Sequence, residues 1–334
     1  MIAATKVTTA STRASVPRAA TLLLVDAGPF DPRADGSGLA EVGPLQLAWE
    51  AFGRRSDPTI LLVMGLGSQM VYWDVDWCRS LADRGYYVIR YDHRDIGLST
   101  KLDELGVPSI PKLAALYRVG LPVTAPYLLD ALADDAVGLL DALGRKAPAH
   151  VIGVSMGGMI AQLVAIRHPD RVASLCSWMS TSGERRHFRP KWRATAALLK
   201  APPRDPDAWA EHIVSVYRAI GSPRPLFDEA DMRTRARQAI ARSRKRAGFA
   251  RHLAAIFASP ARTHRLRSLQ VPTLVLHGTA DPLVPMVGGK DTAKAIEGAR
   301  LYLFEGVGHD MPRATWPRAR ELVLGNIDRA TWDG

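Results

Sequence analysis

The sequence predicts an α/β architecture: a mostly parallel, doubly wound sheet with one helical segment inserted late in the chain. Three observations predict it. From residue 45 onward, short apolar runs alternate with amphipathic stretches of helical period, the pattern of strands covered by helices on both faces. Several runs are apolar without alternation, as in TILLVM at 59–64, which marks strands buried on both sides. Between residues 181 and 269 the alternation stops. That stretch is basic, carries Pro190, Pro202, Pro203, Pro206, Pro223, Pro225 and Pro260, and offers no strand candidate.

Taken in order, LQLAWEAF (45–52) reads as an early strand of a hairpin. TILLVM runs into Gly65-Leu66-Gly67, a tight turn after a buried strand. A helix is expected over 75–84, then the strand YVIRY (87–91) and the polar loop Asp92-His93-Arg94-Asp95-Ile96-Gly97. Residues 128–143 space leucine and alanine at three and four with acids opposite, an amphipathic helix closed by Gly144. HVIGV (150–154) is a strand, and 159–167 a helix ended by His168-Pro169. Residues 172–179, 271–277 and 301–304 complete the strands, and a terminal helix runs over about 315–326. The sheet domain is therefore expected to span 36–182 and 268–334, with the helical insertion at 183–267. Residues 1–35 are expected to form a disordered N-terminal extension, because the first 25 are rich in Ser, Thr and Ala and no acid precedes Asp26.

The 334 residues suffice for one large domain carrying an insertion. Net charge is +11, and between 183 and 269 Lys and Arg outnumber Asp and Glu by roughly a dozen, so one segment holds the excess. Its densest part is Arg233, Arg235, Arg237, Arg242, Arg244, Lys245 and Arg246. A solvated helix face is the leading reading of that run, ahead of attraction for an anionic substrate or acidic lipid surface. Nucleic-acid binding ranks last, since no aromatic stacking platform accompanies the charge. Cys78 and Cys176 lack metal-like spacing and read as buried thiols, so neither a disulfide nor a metal site is expected. No apolar run approaches the roughly 20 residues that span a bilayer. TLLLV (21–25) is too short for a secretory core, and the cytoplasm is the expected compartment.

The strongest local signal is Gly153-Val154-Ser155-Met156-Gly157, followed by Gly158. A serine on a sharp strand-to-helix turn projects its oxygen above the sheet edge, and residues two before and two after must be tiny for the turn to pack. The new helix aims its N-terminus at the serine, which favours developing negative charge. A hydroxyl needs a base and the base needs an orienting carboxylate, in the order Ser, acid, His. His309, in GVGHD after the last strand, fits the base; His168, His187, His212, His252 and His264 lie at a helix end or in the insertion, and His277 precedes the acid. Asp281, in HGTADP after the penultimate strand, fits the acid, with Asp291 and Asp310 as weaker alternatives. The oxyanion needs two backbone N–H donors, expected from Met156 and from Leu66.

With MGLG, YDHRDIGLST, GVSMGG, LVLHGTADPLVP and GVGHDMP in place, the chain from about residue 43 onward resembles an esterase of the α/β-hydrolase fold. In detail it is similar to the bacterial carboxylesterase-like group of the aclacinomycin methylesterases and cofactor-free haloperoxidases. The resemblance implies the α/β-hydrolase fold, a helical cap over the nucleophile formed by the 183–267 insertion, and no metal or organic cofactor. Two departures stand out: Met64, where many members carry histidine before the glycines, and Asp95, where many have glycine. It also implies that Asp92, Arg94 and Asp95 pair locally in a structural loop. Gly65, Met70, Trp73 and Phe227 are the expected substrate contacts, with other apolar cap residues packing onto the core.

The expected activity is hydrolysis of a small, apolar carboxylic ester through an acyl-enzyme on Ser155, with neither nucleic acid nor stable membrane insertion involved. Carbon–carbon bond hydrolysis or a perhydrolase activity on the same residues is the alternative within enzymes. A non-catalytic ligand receptor of this fold is the alternative outside them. Dehalogenase and epoxide-hydrolase readings are disfavoured, because both place Asp at the position of Ser155.

Overall fold

In the computed structural model, which describes residues 30–187 and 189–331, the apolar runs become strands of one sheet. β1 (Gly36–Val42) and β2 (Leu45–Phe52) form an antiparallel hairpin. β3 (Thr59–Val63), β4 (Tyr87–Tyr91), β5 (Ala149–Val154), β6 (Val172–Trp178), β7 (Thr273–Gly278) and β8 (Arg300–Phe304) follow. Their order across the sheet is β1-β2-β4-β3-β5-β6-β7-β8. β2 meets β4 antiparallel, and β4 through β8 pair in parallel.

The period-two alternation of side chains divides these strands between two cores. Leu61, Val63 and Val151 pack with Leu132, Leu139 and Ile160 of the helices Leu129–Ala142 and Met156–Arg167. Ile60, Leu62, Ile152 and Val154 pack with Trp77, Leu81 and Val323 of the helices Val75–Ala82 and Trp316–Thr331. Every residue of β3, β4 and β5 is buried, the apolar majority as expected of strands covered on both faces and Arg90 of β4 through its ion pair with Glu50 of β2. Between β6 and β7 the described residues form the helices Trp192–Leu199, Pro206–Ile220, Glu229–Arg242, Ala247–Ala258 and Thr263–Leu266. Asp205 and Asp228 open two of them, accepting from Ala208 N–H and from Ala230 and Asp231 N–H.

Some boundaries differ from the expected ones. The helix after Ser155 begins at Met156, not Met159, because Gly157 and Gly158 belong to its first turn rather than preceding it. β1 and the helices Ile110–Arg118 and Val287–Ala295 lack a clear periodic signature; the first of these two helices buries only Leu113. Residues 1–29 of the expected disordered extension lie outside the described residues. Residues 30–35 correct that expectation, because they are fastened to the sheet domain. Phe30 is buried against Ala48 and Met70, Asp31 N–H donates to Glu50 at 2.9 Å, and Asp35 pairs with Arg79 at 2.6 Å. Among the described residues no helix is long and apolar enough to cross a membrane.

Candidate active site

The turn at Ser155 shows why its neighbours are glycines. Ser155 has φ 56° and ψ −121°, a strained backbone that holds its side chain at the end of β5. A Cβ on Gly153 would stand 2.1 Å from the Gly157 carbonyl oxygen, and one on Gly157 would stand 2.1 Å from that of Val63. Gly158 is equally tied, its virtual Cβ lying 2.5 Å from Ser180 Cβ. Ser180 Oγ donates to the Ser155 carbonyl at 2.7 Å, fastening the turn to the end of β6.

His309 and Asp281 come to this turn from the loops after β8 and β7. Asp281 Oδ1 accepts the N–H groups of Leu283 and Val284, both at 2.8 Å. Its Oδ2 lies 2.6 Å from His309 Nδ1. With the Nδ1–H donated there, the Nε2 lone pair faces Ser155 Oγ at 2.9 Å. This is the tautomer that can accept the hydroxyl proton. Asp281 is fully buried and His309 nearly so, which strengthens the attraction between carboxylate and any imidazolium formed. A second histidine, His277, lies 3.6 Å from Asp281 Oδ2 while its Nε2–H donates to the Val284 carbonyl at 2.8 Å. Burial pushes its pKa down, against the pull of Asp281, so it is a neutral dipole behind the acid.

The oxyanion candidates flank the same point. Met156 opens a helix, so its N–H is among the first that have no acceptor within the helix. Gly65 lies against Ser155: a Cβ there would stand 3.3 Å from Ser155 Cβ and 3.8 Å from Oγ. That approach brings the Gly65-Leu66 backbone to the site. Of the other expected substrate contacts, Met70 and Trp73 are fully buried core residues. Met70 packs with Phe30 and Ala48, and its N–H donates to Asp92 Oδ1 at 2.7 Å, which turns the segment inward. Trp73 and Phe227 join the core cluster that contains Trp77 and Val214.

The segment between β6 and β7 touches the histidine loop through its backbone. His309 N–H donates to the Ile220 carbonyl at 2.8 Å. Ser222 N–H and Oγ–H both donate to Asp310 Oδ1, at 3.0 and 2.5 Å, and Ser222 Oγ accepts from Gly308 N–H at 2.9 Å. Asp310 thus points away from His309 and into this latch, where burial raises its pKa against the pull of Ser222. Ser222, following a helix and a glycine, bears no chemical mark in the sequence that would flag it.

The charged side chains of the loop after β4 reach distant elements, which corrects the expected local pairing. Arg94 bonds Asp135 of the helix Leu129–Ala142, Asp92 takes Arg242 at 2.9 Å, and Asp95 takes Arg251 at 2.6 and 2.8 Å together with the Tyr127 hydroxyl. The basic run is divided: Arg237, Arg244, Lys245 and Arg246 are exposed, whereas Arg235 and Arg242 turn inward. Arg242 is almost fully buried against Asp92. Arg235 reaches Asp74 at 2.9 Å, Lys245 reaches Asp103 at 3.1 Å, and Arg246 lies over the Trp209 ring. Cys78 and Cys176 are buried free thiols, their pKa values pushed up by burial.

Residues 58–312 match the α/β-hydrolase fold family. The chain is 28% identical over 302 residues to the rhodomycin D methylesterase DauP of a Streptomyces species, covering 84% of this chain and 95% of that one. Among solved structures it resembles the enol-lactonase of Burkholderia xenovorans, with TM-score 0.63 and 24% identity over 88% of this chain and 99% of that one. The meta-cleavage product hydrolase CumD of Pseudomonas fluorescens matches with TM-score 0.68 and 20% identity, covering 90% and 100% of the two chains.

Proposed function

The chain belongs to the α/β-hydrolase fold family, and on that premise we propose that it hydrolyses a carboxylic ester, with Ser155 as nucleophile, His309 as general base and Asp281 as its orienting acid. The observation that carries this reading is the unbroken line from Asp281 Oδ2 to His309 Nδ1 at 2.6 Å and from His309 Nε2 to Ser155 Oγ at 2.9 Å. His309 takes the hydroxyl proton as Ser155 Oγ attacks the ester carbonyl. The N–H groups of Met156 and Leu66 receive the oxyanion of the tetrahedral intermediate. Collapse of that intermediate transfers the proton from His309 to the departing alcohol and leaves an acyl-serine. Water activated by His309 then releases the acid and restores the hydroxyl. The resemblance to a methylesterase over nearly its full length supports a small alcohol as leaving group on a larger acyl part.

The nucleophile assignment is tested by Ser155→Ala. Turnover of p-nitrophenyl acetate should fall by about 10⁶-fold, labelling by a fluorophosphonate probe should vanish, and the circular dichroism spectrum should stay unchanged. Retained turnover in a folded variant overturns the assignment.

A further inference from the structure

Among the described residues, no carboxylate pairs with the buried cation Arg262. Its residue is 2% exposed, its Nε donates to Gln162 Oε1 at 3.1 Å, and its Nη2 donates to the Thr181 carbonyl at 2.9 Å. Nη1 is engaged by neither bond. The acid that acts on it from a distance, Asp130, is committed to Arg167 at 3.2 Å and Arg265 at 3.6 Å. Burial therefore drives the guanidinium pKa down to about 10. A desolvated charge held by neutral acceptors alone is costly unless something else offsets it.

The same arginine lines a cavity of about 440 Å³, well within the size range of small-molecule sites. One wall is aromatic: Tyr117 and Phe257 stack with ring centres 4.2 Å apart. Arg185 lies over the Tyr117 ring at 4.4 Å, and Arg186 also borders the space. A single acid, Glu184, faces these three cations across the lining, 3.9 Å from Arg186. Ser155, Met156 and His309 do not line this cavity, but Met159, one helical turn past Ser155, is part of its wall. So is Thr181, the neighbour of Ser180.

We propose that this cavity binds a flat aromatic or fused-ring body bearing a carboxylate, with Arg262 and Arg185 receiving the anion and Phe257, the outer ring of the stack, receiving the rings. The proposal deepens the esterase reading and rests on it for one consequence: the preferred ester carries a second, free acidic group on its acyl part. A guanidinium presents a planar fork that a carboxylate can meet with two hydrogen bonds. Phe257 supplies an apolar surface for the remainder.

The binding claim is tested on the full-length Ser155→Ala protein, where no turnover interferes, by calorimetric titration with 2-naphthoate and with the neutral 2-naphthamide. One site is expected, with the carboxylate bound at least tenfold tighter than the amide. Arg262→Gln should erase that preference, and Arg185→Gln should reduce it. Should Arg262→Gln fail to fold, the acid-to-amide ratio in the parent protein and its change in Arg185→Gln decide the matter. Equal affinity for the acid and the amide, or no saturable binding of naphthoate, overturns the proposal. The consequence for catalysis is read separately, as kcat/KM for monomethyl against dimethyl 2,6-naphthalenedicarboxylate. If neither ester is hydrolysed while naphthoate still binds with the stated preference, the esterase reading fails and the anion site stands.

Discussion

Two regions of this molecule bury polar groups, and they do so in opposite ways. At the proposed nucleophile, Ser155, His309 and Asp281 each follow a strand and are held by the turn in which they lie. Glycines shape the first turn, and the N–H groups of Leu283 and Val284 fix the last. At the seam between the loop after β4 and the inserted helices, the partners are long side chains from distant elements. Asp95 and Arg251 are 156 residues apart and both side chains are wholly buried. The first arrangement is chemistry written in local backbone; the second is chemistry written in long-range pairing. Loss of a residue from the first should therefore remove activity with little change in stability, and loss from the second should do the reverse.

The largest expected separation comes from Asp281→Asn. The amide can still accept from Leu283 and Val284, so the fold should persist. The tautomer and orientation of His309 would be lost, and kcat should fall by about 10⁴-fold. A urea midpoint within experimental error of the parent, alongside that loss, is the expected pair of readings. A fall in stability comparable to the fall in rate would erase the contrast between the regions.

Asp95→Asn tests the other side. It leaves Arg251 buried beside a neutral amide, and removal of one partner from a buried ion pair costs about 3–5 kcal/mol. Asp95 also has φ 71°, a conformation that favours glycine. Its place there is sustained by Arg251, the Tyr127 hydroxyl and Leu102 N–H, which hold its carboxyl below the usual range although burial works to raise it. Turnover per folded molecule should change by less than tenfold. A double variant, Asp95→Asn with Arg251→Met, should recover part of the stability because the uncompensated charge is gone.

The same contrast explains what the sequence made legible. The serine turn, the acid and the histidine were readable because each follows an apolar strand run and is bracketed by small or turn-forming residues. The strands β3 to β8 were readable for the same reason, their sequences being mostly apolar even where Arg90, His150, Ser174 or Ser177 interrupts them. β1 was not, since GSGLAEV has two glycines and only partial burial. The fate of Arg235 and Arg242 was not readable either, because a string of arginines at helical spacing looks solvated until the acids of a distant loop are brought to it. Asp95 carried the one hint, an acid at a turn position that glycine would fill more easily. Met70 and Trp73 were placed in the substrate pocket by proximity in the chain. Both side chains are fully buried, Met70 beside Phe30 and Ala48 and Trp73 in the cluster of Trp77 and Val214.

Where the regions meet, an intermediate effect is expected. Ser222 belongs to the inserted segment, yet its hydroxyl joins Asp310 to the backbone of Gly308, next to the base. Ser222→Ala should lower kcat by about tenfold, roughly the 1.4 kcal/mol of one or two lost hydrogen bonds, with KM for a short p-nitrophenyl ester little changed. Ser222→Thr, which retains the hydroxyl, should restore most of the rate. An equal rise in KM with kcat intact would assign Ser222 to substrate binding rather than to the position of His309.

The smallest effect is a pH dependence within the seam. His252 is fully buried, its ring 5.8 Å from that of His93, with Nε2–H donating to the Arg94 carbonyl at 3.0 Å. Burial, reinforced by His93, pushes its pKa down to about 3. In the unfolded chain it titrates near 6.5. Between those values the unfolded state binds the proton and the folded state does not, so stability is fully present above about pH 6.5 and declines as the pH falls toward 3. Going from pH 7.5 to 5.5 should cost about 1 kcal/mol from this residue alone. Asp310, whose raised pKa acts in the opposite sense at lower pH, cancels when the protein is compared with His252→Gln at each pH. The difference in unfolding free energy between the two should shrink by about 1 kcal/mol over that interval. A constant difference would mean that His252 binds its proton equally in the folded and unfolded chains, and a difference that grows toward pH 5.5 would mean that the folded seam holds it protonated.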